Sequence, residues 1–139
     1  MASQLKVDTI TGVTTAGSIA VTGEGNSTTT NLQQGLLKSW VDIAADGASL
    51  NDSFNIGSST DSGTGDRRVA YTNNMGNANY AITTGVEDAG AGTSLVVTDI
   101  SNGTKATTGF DAEVCIGSSS SNRQNYDIES FYMTSGDLA

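Results

Sequence analysis

From residue 39 onward, clusters of Gly, Asn, Asp and Ser cut the chain into short runs of alternating apolar and polar residues, at 39–44, 50–57, 66–72, 79–86, 94–100, 107–116 and 125–133. Turn chemistry at such spacing leaves no room for long helices and predicts strands joined by tight connections. Seven strands in about a hundred residues predict an all-β domain, a compact antiparallel β-sandwich of jelly-roll-like type. Alternation also nominates the core: Val69 with Tyr71, Tyr80 with Ile82, and Phe110, Ala112, Val114 and Ile116 each share one face of a strand. In the last run Tyr126 and Ile128 have one phase and Phe131 and Met133 the other, so a β-bulge near Glu129 and Ser130 is expected to bring all four inward.

The chain ahead of this domain reads differently. Residues 1–25 form an N-terminal β anchor segment, in which Leu5, Val7 and Thr9 alternate with Lys6, Asp8 and Ile10 as in a half-buried strand. Ile19 and Val21 mark a second short strand before Gly23 and Gly25. Two strands of this size are marginal alone and need a neighbour, another copy or another protein. Residues 26–38 read as a short helical linker, with a Thr or Asn N-cap and with Leu32, Leu36 and Leu37 on one face. Gly35 weakens that helix by about 1 kcal/mol relative to Ala. A glycine there suits either close backbone approach around a three-fold axis or a plain surface helix over the sheet edge. The sandwich then occupies residues 39–139.

Composition narrows the class of function. Only 36% of residues are apolar, so one chain has little surface to set against its folding entropy, and oligomerisation is the natural remedy. A formal charge of −9 with six scattered cations (Lys6, Lys38, Arg67, Arg68, Lys105, Arg123) is the opposite of a nucleic-acid footprint. No apolar run approaches the roughly 18 residues of a membrane-spanning helix, and no charged start with an apolar stretch marks a secretory signal. The lone Cys115 cannot form an intrachain disulfide, which fits assembly in a reducing cytoplasm. The sequons at Asn26, Asn51 and Asn102 are the chance product of a chain rich in Asn, Ser and Thr.

Catalytic chemistry has few places to reside. The chain contains no histidine, which removes Ser-His-Asp and Cys-His arrangements and the usual zinc ligand sets. No phosphate-cradling glycine loop is present. Asp111 with Glu113, or Glu87 with Asp88, are the carboxylate pairs that could cut a glycosidic bond, but a solvated acidic face explains them more simply. Asp61 to Asp66 could wrap calcium on paper, yet the stretch lacks the twelve-residue loop and its terminal Glu and reads as a glycine-rich hairpin connection. Cys115, in phase with Asp111 and Glu113, reads as a small filler at a subunit contact, and Trp40 as a packing anchor before a sugar-stacking platform. No cofactor is called for.

The wording of residues 31–84 carries more. Asn31-Leu-Gln-Gln-Gly-Leu36 ahead of Lys38-Ser-Trp40, then Asn51-Asp-Ser-Phe-Asn-Ile56, Thr60-Asp-Ser-Gly-Thr-Gly-Asp66 and Asn79-Tyr80-Ala81, resembles a module of virion proteins of tailed bacteriophages, notably marine ones. The opening Ser3-Gln-Leu-Lys-Val-Asp-Thr-Ile10 is similar to the start of many phage fibre and appendage proteins. The resemblance implies a non-enzymatic homotrimer found in the virion, either a capsid decoration protein of cement or head-fibre type or the receptor-binding tip of a tail fibre or spike. On that reading Leu5, Val7, Ile10, Ile19 and Val21 attach the chain to a major capsid or tail protein, and Leu32, Leu36, Leu37 and Trp40 form the trimer interface. A tip would present the loops 44–49, 88–93 and 117–122 to a host glycan or protein.

Overall fold

The computed structural model describes residues 4–12, 19–23, 28–87, 96–100, 104–116 and 124–138. They divide into two compact units, one reaching to Leu36 and one beginning at Leu37.

In the first unit, β1 (Ala20–Thr22) pairs antiparallel with β2 (Thr29–Asn31), Val21 opposite Thr30. Asn31 then caps a single helical turn, α1 (Leu32–Gly35), its side chain accepting from the Gln34 amide at 3.0 Å. The helix cannot begin earlier because Thr29–Asn31 is engaged in the hairpin, and it stops where Gly35 favours exit and Leu36 is extended at φ −90°, ψ 142°. The expected helical face of Leu32, Leu36 and Leu37 therefore does not form, since the last two leucines lie beyond the helix and are exposed. The strand expected at Leu5, Val7 and Thr9 is absent as well. Residues 4–12 are exposed and unpaired into any ladder, because alternation makes a strand only where a neighbour supplies the hydrogen bonds.

The second unit is all-β and sandwich-like, with two antiparallel sheets. One has the order β4-β3-β11-β7, from β3 (Ser39–Ile43), β4 (Leu50–Phe54), β7 (Ala81–Val86) and β11 (Ser130–Ser135). The other runs β10-β9-β6-β5, from β5 (Ile56–Gly63), β6 (Asp66–Tyr71), β9 (Gly109–Ile116) and β10 (Gln124–Asn125), with β8 (Val96–Ile100) also paired to β9. The expected run at 50–57 is two strands, one in each sheet. Asn55 makes the crossing at φ 58°, a left-handed conformation that Asn tolerates better than most residues. Its amide donates to the carbonyls of Lys38 (3.1 Å) and Asn73 (3.2 Å).

Side chains from both sheets form the core: Val41, Ile43, Ile56, Val69, Tyr71, Met75, Tyr80, Phe110, Ala112 and Tyr132, with Ile82 packed against them. Alternation on β6 and β9 thus places Val69, Tyr71, Phe110, Ala112 and Val114 inward as expected; the Ile116 side chain lies outside the described residues. Aromatic rings run through the middle, Tyr80 edge-on to Tyr71 at 5.7 Å, Tyr71 to Phe110 at 6.0 Å and Phe110 to Tyr132 at 5.4 Å. Tyr80 donates to the carbonyls of Gly109 (2.7 Å) and Ala106 (3.0 Å), and the Tyr71 hydroxyl lies 3.2 Å from Thr134 Oγ1. The last expected strand is corrected in both length and phase. It splits into β10 and β11, and in β11 the inward residues are Ser130, Tyr132 and Thr134, whereas Met133 is 50% exposed. β11 pairs in unbroken register with both β3 and β7, so no bulge turns Phe131 and Met133 inward. Buried hydroxyls that find a partner inside, as Thr134 does, made this face look polar in the sequence.

Candidate interaction surface on the four-stranded sheet

Pairing brings together residues that are far apart in sequence. Phe54 on β4 stands opposite Trp40 on β3, Trp40 opposite Met133 on β11, and Met133 opposite Thr83 on β7. Because directly opposed residues share a face, this row crosses the outer surface of the sheet, away from Val41, Ile43 and Tyr132. Phe54 is 53% exposed, Met133 50%, and Trp40 is half-buried between them. Beside it runs a second row, Asp52 opposite Asp42, Asp42 opposite Phe131, and Phe131 opposite Gly85. A side chain built at Gly85 would meet the Phe131 ring at 3.7 Å, an ordinary van der Waals contact, so that ring lies beside β7.

One corner of this face is acidic. Glu129 lies just ahead of β11, and its carbonyl accepts from the Glu87 amide at 3.0 Å. Its carboxyl is held above the ordinary glutamate range, first by partial desolvation and then by the neighbouring Asp42 and Glu87 carboxylates. Asn51 donates to Asp42 at 3.2 Å. The surface therefore offers apolar and aromatic area along one row and concentrated negative charge at its end. Such a face suits binding through apolar contact, selected by charge.

The other candidates are placed as follows. Asp111 is taken up in a forked ion pair with Arg68, at 2.9 and 3.2 Å, on the outer face of the five-stranded sheet. Glu113 shares that face and lies opposite Asp66, so no acid and base face each other across a cleft. Glu87 belongs to the acidic corner, and Asp88 lies outside the described residues. The Asp61 to Asp66 stretch is a hairpin connection, with Gly63 and Gly65 at positive φ and Asp61 accepting from the Gly63 amide at 2.9 Å. No group of three metal-ligating side chains occurs among the described residues. Cys115 is buried within the single chain, so its burial needs no subunit contact.

Among the proposed attachment residues, Leu5, Val7, Ile10 and Val21 are exposed and Ile19 is half-buried, its carbonyl accepting from Leu32 at 2.8 Å. Trp40 belongs to the sheet row, between Phe54 and Met133. Of the three loops proposed for receptor contact, 44–49 is held by Asp46, which accepts from the amides of Ala48 and Ser49 and from the Ser49 hydroxyl. Loops 88–93 and 117–122 lie outside the described residues. Phe54 and Met133 were missed as site residues. Phe54 shares its sequence phase with Leu50 and Ile56, which pack on the core, so alternation alone turns it inward, and Met133 needed the register of β11. No protein-family model, curated protein or solved structure matches the sequence.

Proposed function

We propose that this chain is a non-enzymatic structural protein of a bacteriophage virion, a short capsid decoration protein of cement or head-fibre type, trimeric and built on a jelly-roll-like sandwich. The observation that carries the reading is the row of Phe54, half-buried Trp40 and Met133, which puts apolar area on the outer face of the four-stranded sheet. The exposed Leu5, Val7 and Ile10 add a second apolar stretch for attachment to a major capsid or tail protein. Both surfaces serve adhesion and bracing, and neither requires turnover. Light scattering tests the assembly, with three times 14.2 kDa expected; a clean monomer that keeps its β-rich spectrum refutes it. A chain starting near Ser27 should fold and fail to join particles, and full incorporation would refute the attachment role.

A receptor-binding tip of a tail fibre or spike is the second reading. It draws on the Trp40 and Phe54 rings beside Asn51 and Asp42, since an aromatic plane flanked by hydrogen-bonding groups can stack and orient a sugar of a host glycan. Copy number separates the two readings. Hundreds of copies per particle place the protein on the capsid, and a few tens or fewer place it on the tail.

A further inference from the structure

Arg67 points from β6 into the space between the sheets, in phase with Val69 and Tyr71, and is 1% exposed. Two arms of its guanidinium are satisfied by carbonyls: Nη1 donates to Gly65 at 3.2 Å, and Nη2 makes a short hydrogen bond to Ile128. These contacts tie the β5–β6 hairpin turn to the chain entering β11. They leave the positive charge without a carboxylate partner among the described residues, and Nε without any acceptor. Asp46 feels the charge, but it is exposed and turned to Ala48 and Ser49.

Two further donors share this predicament. Ser130 and Tyr132 stand two apart on the inward face of β11, 0% and 1% exposed, and neither hydroxyl meets an acceptor at full hydrogen-bond geometry, although the two lie near each other. They lie two and four residues after Ile128, whose carbonyl Arg67 grips just ahead of β11. The Tyr132 hydroxyl lies close enough to Ser130 and Arg67 for both to favour its ionised form, although burial outweighs them. One buried cation and three donors that lack a well-placed acceptor thus occupy one neighbourhood. An unpaired buried charge is costly, and hydroxyls can turn their protons toward whatever neutralises it.

We propose that Arg67 Nε, Tyr132 Oη and Ser130 Oγ bind a small monovalent inorganic anion of the halide class between the two sheets. The guanidinium supplies the charge, the hydroxyls complete the donor set, and the anion fastens β6 to β11. A ligand bound only by the folded protein raises stability with its concentration, so occupancy is readable without any functional assay. The full chain is melted in sodium chloride, sodium bromide and sodium gluconate at matched ionic strength, and crystals grown in bromide are measured at the bromine edge. Melting temperature should rise with halide and saturate, while gluconate gives no such rise, and one anomalous peak should lie beside Arg67 Nε. Tyr132→Phe removes one donor and should raise the half-saturating halide concentration about tenfold. Arg67→Met should abolish the response; if it does not fold, Tyr132→Phe and the bromide peak decide. Equal melting in chloride and gluconate, a water without anomalous signal at Arg67, or bromide only at surface cations such as Arg68 would each overturn the proposal.

Discussion

Asn55 and Asn73 are joined by two hydrogen bonds at the point where the chain leaves one sheet for the other: Asn55 Oδ1 accepts from the Asn73 amide at 2.7 Å and from its side chain at 3.0 Å. With the two carbonyls on its own amide, Asn55 has its hydrogen-bonding capacity filled while holding a φ of 58°. Asn55→Ala should cost about 2 to 3 kcal/mol in urea unfolding, from lost hydrogen bonds plus left-handed strain. Asn55→Gly should cost about 1 kcal/mol less, since only the strain is relieved. Equal costs for the two variants would show that strain contributes nothing.

Phe110 and Asp111 test the register of β9 from opposite faces. Phe110 packs between Tyr71 and Tyr132, so Phe110→Ala should destabilise by about 3 to 5 kcal/mol. Asp111→Ala breaks only an exposed ion pair with Arg68 and should cost less than about 1 kcal/mol. A reversal of these magnitudes in denaturant melts would mean a strand slipped by one residue.

The acidic corner should have a pH signature. Glu129 has its carboxyl raised above 4.5, so the native state keeps that proton longer than the unfolded chain does. Its unfavourable contribution is absent below that value and enters as pH rises through the raised one. Glu129→Gln should therefore match the parent in acid and gain melting temperature relative to it between about pH 4 and about pH 7. A difference that is flat, or that grows toward acid, contradicts the assignment.

The outer row should matter for association and not for folding. Phe54→Ser with Met133→Ser removes exposed apolar area and should change unfolding free energy by less than about 1 kcal/mol. The same double variant should lose self-association or particle binding in sedimentation and incorporation measurements. Association that survives unchanged would remove this face from consideration.

Where apolar residues alternate cleanly, sequence and structure agree: β6 and β9 could be read from Val69, Tyr71, Phe110, Ala112 and Val114. Reading failed where a polar residue faces inward for a reason that only a distant partner supplies. Arg67 shares the phase of Val69 and Tyr71, a signal in plain view, but its acceptors come from the turn at Gly65 and from Ile128. Ser130 and Thr134 disguised the core face of β11, and one positive φ at Asn55 divided an apparently continuous strand. Trp40 was legible as important. Its row was not, because Phe54 and Met133 meet it only through strand pairing.

The position of β3 has a mechanical consequence. The second unit begins at Leu37, and two residues later the chain enters a strand laced on one side to β4 and on the other to β11. Tension arriving from residues 1–36 is therefore delivered to an interior strand, where Lys38 already donates to the Thr134 carbonyl at 2.8 Å. An edge strand could peel away one bond at a time. Here a tug on that end has to strain two ladders together, so the load is shared at once by β4 and β11.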